Sequence, residues 1–283
     1  MPLTQPPSAY TPESIRSHLR TMILGGRIEL HRQVGSTNDL AKAAAHRGEP
    51  EGSVVLAEEQ VQGRGRLGRT WAAPPGSSIL CSVLLRPRFS PEQAFYLTIA
   101  ASLAIYRAVS RYPTPGRPTK GTAAITPHPI QAAIKWPNDV LVNGRKVSGV
   151  LSESEFTGGD WAFAVLGFGI NANLSPQALH ELREIAPQAT SLNAEVGVKL
   201  DRALLLANIL TELEGLYLAI QSGQFGAVYS EWAAALETIG RRVSVRESNG
   251  LVSGQAVRVE SDGALVLRLN GGVERRVLAG DVV

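Results

Sequence analysis

The chain has 283 residues, 44% hydrophobic and 19% charged, an ordinary balance for a globular protein with a real core, and its length fits one large domain or two. The 28 basic and 25 acidic residues leave a net charge of +3, too mild by itself to argue for nucleic acid. A single cysteine, Cys81, excludes an internal disulfide and fits a reducing cytosol, and His18, His31, His46, His128 and His180 are too scattered to suggest zinc.

Residues 1–12, rich in Pro, Ser and Thr, read as a frayed tail without a secretory h-region, and no apolar run looks long enough to span a membrane. One short helix is predicted within 13–24. In "VGSTNDLAKAAAHRG", Ser36 or Thr37 is placed to N-cap a helix, with Asp39 in the first turn and Gly48 stopping it. "GSVVLAEEQ" (52–60) is a strand, an arginine-rich loop follows, and "SSILCSVLLRP" (77–87) is a strand ended by Pro87. Residues 91–112 form a long, buried helix. The stretch 113–129 holds five prolines and reads as a flexible inserted surface loop. Residues 130–156 read as strand, turn, strand, with a hairpin signal at Asn143-Gly144, and 161–174 as a further strand. The segments 200–221 and 225–237 are helical by period, with Asp201 near the first cap. From about 239, short alternating strands split by SNG, SDG and NGG turns predict a small β-barrel of about five strands.

Residues 63–68, "GRGRLG", match the G-x-G-x-x-G pattern of dinucleotide-binding loops. That pattern needs a following helix and an acid about 20 residues on. Pro74-Pro75-Gly76 breaks any helix, and after Glu59 the next carboxylate is Glu92, so the dinucleotide reading fails. Glycines let a backbone curl around a ligand, while Arg64, Arg66 and Arg69 supply fixed charge and bidentate donors for carboxylate or phosphate oxygens. Trp71 offers a flat face for a base. A solvated arginine turn with Trp71 in the core is the competing reading.

In "KWPNDV" (135–140), Lys135 ends an apolar strand beside a Pro-Asn-Asp turn, where it can meet an anion or a reacting carbonyl. A plain hairpin corner with Lys135 in solvent remains open. In "GFGIN" (167–171), two glycines flanking a strand residue suggest close approach by a ligand, or a bulge.

Taken together, "GSTNDLA" (35–41), "EEQVQGRGRLGRTW" (58–71), "KWPNDVLVNGRKVSGVLSE" (135–153) and "GFGINAN" (167–173) resemble the biotin protein ligases, the biotin–[acetyl-CoA-carboxylase] ligases, in the family's order and over about residues 28–283. The resemblance implies an α+β fold: a mixed β-sheet backed by helices, like the core of class II aminoacyl-tRNA synthetases, with a small C-terminal SH3-like β-barrel. It divides the chain into an N-terminal tail and short helix (1–27), a biotin- and ATP-binding catalytic domain (28–238) and the SH3-like domain (239–283). Some members carry an N-terminal DNA-binding domain and act as repressors. The 27 or so residues before "IELHRQVGSTND" are too few for one, so no repressor function and no nucleic-acid partner is expected.

The reaction implied has two steps. Biotin's carboxylate attacks the α-phosphate of ATP to give biotinyl-5′-AMP and pyrophosphate, and a lysine of a biotin carboxyl carrier protein, part of a biotin-dependent carboxylase, then takes the biotinyl group. By family position, Arg64, Arg66 and Lys135 are catalytic. Biotin is held by Ser36, Thr37, Gln60, Gly63, Arg64, Arg66, Lys135, Gly167 and Gly169, and the adenylate by Arg66, Arg69, Trp71, Lys135 and Asn171. Mg²⁺ is expected on the phosphates of ATP, with no dedicated protein ligands. The enzyme is expected in the cytoplasm, away from membranes, and a homodimer is left open. The loop 63–76 is expected to be mobile without ligand and to fold over the adenylate. Asp139 and Glu153 lie nearby in sequence, but neither is assigned as the base for the acceptor amine. Lipoate and octanoyl ligases share this chemistry, but their "RRxxGGGxVxHD" signature has no counterpart here. A basic nucleic-acid-binding protein with a C-terminal barrel rich in arginine is a further alternative, one that leaves Lys135, Asn171 and the glycines unexplained.

Overall fold

The computed structural model describes residues 10–113, 130–248 and 250–283, together with two backbone segments inside the intervening stretch. Most of the proline-rich insertion, and residues 1–9 of the expected tail, therefore lie outside the described residues.

Helix α1 (Pro12–His18) opens with a capping box between Thr11 and Ser14 and with Pro12 in its first turn. It stops short of the expected 24. The buried carboxylate of Glu214 instead accepts the backbone N–H groups of Met22, Ile23 and Leu24 at 2.6, 2.7 and 2.8 Å, and no helix can use them. Strand β1 (Ile28–His31), helix α2 (Thr37–His46) and strands β2 (Val54–Ala57) and β3 (Ser78–Leu85) follow. Helix α3 (Phe95–Ser110) comes after a short 3₁₀ turn at Pro91–Gln93. The pair β4 (Arg117–Pro118) and β5 (Ile125–Thr126) then precedes β6 (Ala132–Lys135), β7 (Asp139–Val142), β8 (Arg145–Thr157) and β9 (Asp160–Asn171). Asn143 and Gly144 both take positive φ, 51° and 74°, in the β7–β8 hairpin that the sequence signals.

Seven strands form one mixed sheet in the order β1-β2-β3-β9-β8-β7-β6, with β1 and β2 parallel and the other pairs antiparallel. One face is covered by α1, α3 and two later helices, α6 (Arg202–Gln221) and α7 (Phe225–Ala234). Side chains Ala41 and Ala45 of α2 cover part of the other face, against Val55, Leu84, Phe163 and Val165. Helix α6 is long and apolar enough to cross a membrane, contrary to the expectation of no such run, but it is mostly buried against α1 and α3. Asp201 caps it, accepting from Ala203 and Leu204 N–H. Strand β1 and helices α4 (Pro176–Ile185) and α5 (Leu192–Val196) went unread in the sequence, being short or weakly patterned.

Strands β10 (Arg242–Glu247), β11 (Gly250–Val259), β12 (Leu265–Arg268), β13 (Glu274–Val277) and β14 (Asp281–Val282) form a second, wholly antiparallel sheet in the order β13-β12-β11-β10-β14. Its five strands match the expected number. Trp136, 1% exposed, pins the two sheets together: its indole N–H donates to Gly263 O at 2.9 Å and its backbone N–H to Thr238 Oγ1 at 3.0 Å.

Candidate active site

Side chains alternate across a strand, so the residues that continue the α2-covered face beyond Phe163 and Val165 on β9 are Gly167, Gly169 and Asn171. The face is left open there because two successive positions carry no side chain. Lateral pairing runs Leu80–Gly169–Gly149–Asp139–Lys135 from β3 to β6, one rung across five strands. The register thus brings Lys135 and the bare backbone of two glycines into one row. A cavity of about 960 Å³ lies over this row, at the upper end of the roughly 300–1,000 Å³ usual for small-molecule sites.

The arginine loop folds over it as a tight hairpin. Trp71 N–H donates to Gly63 O at 2.9 Å and Gly65 N–H to Arg69 O at 2.7 Å, with a 3₁₀ turn, Arg66–Gly68, at the tip. Gly63 is required: a Cβ there would lie 2.3 Å from Trp71 O. The Trp71 ring lies on the glycine row, so that a Cβ on Gly169 would fall 2.4 Å from its Cε2, and Lys146 Nζ stands 5.8 Å from the ring centroid.

The cations from this hairpin and from β6–β8 fall into two groups. Arg64 forms a bidentate pair with Asp39 at 2.5 and 2.8 Å, Lys146 meets Asp139 at 2.6 Å, and Arg69 Nη2 approaches Asp281 Oδ2 to 2.8 Å at angles outside hydrogen-bonding geometry. Arg66 and Lys135 have no carboxylate within 4 Å among the described residues. Arg66 donates only to Asn138 Oδ1, at 3.1 Å. Burial pulls the pKa of both below the ordinary value, despite the more distant charges of Asp139 and Asp281. Two partly desolvated cations without a counter-ion among the described residues make a site for an anion. Two further polar atoms, Trp71 Nε1 and Asn171 Oδ1, are buried without a hydrogen-bond partner.

At the other end of the cavity, Thr37 N–H donates to Gln60 Oε1 at 2.6 Å, and Thr37 Oγ1 lies 3.0 Å from the same oxygen. Ser36 is the N-cap residue of α2, one of the two expected, though its side chain makes no cap bond and only its backbone carbonyl accepts, from Leu40 N–H. Eleven of the twelve residues singled out in the sequence line the cavity, though Arg64 is drawn outward by Asp39; Gly63 does not line it and packs against Trp71 O. The close approach expected at Gly167 and Gly169 is real, but side chains make it: a Cβ on Gly167 would lie 2.1 Å from Asn38 Oδ1, as one on Gly169 would meet Trp71. Sequence reasoning missed Asn38, Asn138 and Lys146, and missed that the second sheet supplies a wall through Arg241, Arg242, Arg246 and Asp281. Asp139, read as a turn residue and left unassigned as a base, has its carboxylate held by Lys146. Among the described residues no three His, Cys, Asp or Glu side chains gather into a metal cage.

Comparison with known proteins gives this geometry a family. Residues 30–171 match the biotin/lipoate A/B protein ligase family and residues 238–283 the biotin protein ligase C-terminal domain. A biotin–[acetyl-CoA-carboxylase] ligase of Mycobacterium tuberculosis is 35% identical over 274 residues, 94% of this chain and 93% of its own length. The bifunctional ligase/repressor BirA of Bacillus subtilis is 31% identical over 281 residues, 99% of this chain and 81% of that protein. A biotin protein ligase from Aquifex aeolicus, solved with biotin and ATP, superposes with a TM-score of 0.70 at 24% identity, covering 91% of this chain and 98% of that one, a likeness of fold. The chain belongs to the biotin protein ligase family. Its enzyme class is accordingly that of the biotin–[acetyl-CoA-carboxylase] ligases.

Proposed function

We propose that the protein activates biotin with ATP as biotinyl-5′-AMP, releasing pyrophosphate, and transfers the biotinyl group to one lysine of a biotin carboxyl carrier protein. The observation that carries this reading is the pair of half-buried cations, Arg66 and Lys135, without a carboxylate within 4 Å among the described residues, over a floor of bare glycine backbone. In the first step two anions, a carboxylate and a triphosphate, must meet. Fixed positive donors in a dry cavity offset their repulsion and the charge that grows on the α-phosphate. Lys135 aligns the carboxylate and, in the second step, polarises the acyl carbonyl that the acceptor amine attacks as AMP leaves. Arg66 spans carboxylate and phosphate. Arg64 and Arg69 exchange Asp39 and Asp281 for substrate oxygens when the hairpin closes. Ser36, Thr37, Gln60 and the Gly63 backbone hold the ureido ring, with Gly167 and Gly169 beside it. Trp71 and Asn171, with their unsatisfied polar atoms, receive adenine.

Residues 28–238 are proposed as the catalytic domain, akin to the class II aminoacyl-tRNA synthetase core, and 239–283 as an SH3-like domain. Residues 1–27 precede both, with α1 packed on the catalytic domain through α6. Among the described residues, the cavity carboxylates Asp139, Asp281 and Glu237 lie against Lys146, Arg69 and Arg241 respectively. Mg²⁺ belongs to the proposal as a counter-ion carried by ATP, and no step here runs through it. The setting is cytoplasmic, without nucleic acid or membrane.

The test is transfer of labelled biotin, with ATP and Mg²⁺, to an isolated biotin carboxyl carrier domain. Stoichiometric labelling of one lysine is expected. No transfer by the folded protein refutes the reading, and lipoate transfer in its place assigns the other branch of the family.

A further inference from the structure

Beneath the ureido end of the cavity, behind Thr37, lies a chain of buried and half-buried polar groups. Ser82 on β3, fully buried, has its Oγ 2.8 Å from Thr37 Oγ1 and 2.5 Å from Asn38 Oδ1. Asn38 Nδ2 donates to Glu153 Oε2 at 2.6 Å, and Lys42 Nζ donates to Glu153 Oε1 at 2.5 Å. The groups come from α2, β3 and β8, which meet only in the fold.

Donor and acceptor roles along this chain are forced one by one. The Glu153 carboxylate accepts only: burial opposes its ionisation, but the bonds from Lys42 and Asn38 outweigh that and hold its pKa below the ordinary carboxylate value. The Asn38 atom facing it is therefore the amide nitrogen, and the oxygen faces Ser82. Gly167 permits this orientation, since any Cβ would sit 2.1 Å from that oxygen. At the far end, a backbone N–H can only donate, so the Gln60 atom 2.6 Å from Thr37 N is its oxygen. The Gln60 amide nitrogen is thereby turned away from α2, to lie 3.2 Å from where a Gly63 Cβ would stand. Ser82 has one proton for two acceptors. The shorter contact is to Asn38, and sending the proton there makes the Thr37 hydroxyl the donor across the 2.8 Å contact to Ser82, leaves Gln60 Oε1 to the Thr37 backbone N–H, and keeps the Thr37 lone pairs for an acceptor role.

We infer that Lys42, Glu153, Asn38 and Ser82 form a polarity relay that fixes Thr37 Oγ1 as an acceptor beside Gln60 Nε2, which the Thr37 backbone N–H independently sets as a donor, together selecting a ligand that presents an N–H beside a C=O. This rests on the functional reading above and deepens it: the cyclic urea of biotin has that pattern, whereas an analogue with C=NH₂⁺ in place of C=O does not. Ser82 touches no ligand, and it is a positioning residue acting through Thr37.

The test compares the wild type with Ser82→Ala and Glu153→Gln by calorimetric titration with biotin and with the cyclic guanidinium analogue, and by steady-state kinetics. For Ser82→Ala, biotin affinity falls about tenfold, the scale of one mispaired hydrogen bond. The preference for biotin over the analogue shrinks by a similar factor, and the loss appears in KM for biotin rather than KM for ATP. Glu153→Gln keeps the shape and removes the charge, gives the same change in preference to a smaller degree, and decides the matter if Ser82→Ala does not fold. Unchanged affinity and unchanged preference in a folded variant overturn the relay alone. Absence of biotin binding by the wild type overturns the functional reading and the relay with it.

Discussion

Gly169→Ala is a sharp test of the nucleotide half of the site. The added methyl would lie 2.4, 2.6 and 2.7 Å from Cε2, Nε1 and Cζ2 of Trp71. Ordinary contact needs about 3.5–4.0 Å, so the ring must retreat by roughly 1.1–1.6 Å. Its backbone is held, because Trp71 N–H is bonded to Gly63 O and Trp71 O lies close beside Gly63, 2.3 Å from where a Cβ would stand. The ring must therefore rotate off the glycine row into the cavity. Since the cavity gives it room, the folding cost stays near the low end for overpacking, about 1 kcal/mol. The larger loss falls on the purine. A base stacked on an aromatic ring gains about 1–3 kcal/mol, so KM for ATP rises by roughly 5- to 150-fold. Pyrophosphate exchange measures this directly, with biotin affinity as the internal reference. Gly215→Ala, on the exposed side of α6 with nothing near its Cβ, is the matched control and gains up to about 1 kcal/mol in stability. A folded Gly169→Ala enzyme whose KM for ATP stays within twofold of wild type refutes the placement of adenine on Trp71.

Lys135→Met, which keeps length and loses charge, is expected to lower kcat by about 10²–10³, the scale of one lost electrostatic donor, as read by biotinyl transfer. The same change is expected to raise the Tm of the ligand-free protein at pH 7. The pKa of Lys135 is depressed in the folded state, so its buried charge destabilises wherever it is protonated, and stability recovers as pH rises from the folded value toward the unfolded 10.5. The gain in the variant must therefore shrink at high pH, and a gain that grows there contradicts the assignment. Glu214→Ala removes the acceptor of three N–H groups, of which that of Leu24 lies where water cannot reach, and is expected to cost about 3 kcal/mol in chemical denaturation. Limited trypsinolysis after Arg64, Arg66 and Arg69 is expected to slow when biotin and ATP are both present. Equal rates with and without them argue against closure of the hairpin.

What the sequence made legible is what local physics controls. Turn dipeptides marked the β7–β8 hairpin and the C-terminal sheet, and Asp201 marked the start of α6. The failure of the dinucleotide pattern was legible from Pro74-Pro75 and the missing acid. What stayed hidden depends on partners far apart in the chain. Glu214 ends α1 from 190 or more residues away, and Glu153 reaches Asn38 across 115. Asp281 meets Arg69 from the other sheet, and no period or spacing announces such a pair.

The glycines of "GFGIN" show where the division falls. Their spacing of two said that one face of one strand must be bare. It could not say what lies there, because a glycine records an absence and any close neighbour satisfies it. The fold puts Asn38 over one and Trp71 over the other. Gly167 and Gly169 thus have separable roles. A methyl at 167 strikes the polar relay behind Thr37 and should weaken biotin first, while a methyl at 169 displaces the ring and should weaken ATP first. Two adjacent Gly→Ala variants on one strand, affecting the two substrates in opposite order, would be hard to explain by general loss of fold. A uniform loss in both would mean that the strand serves only as scaffold.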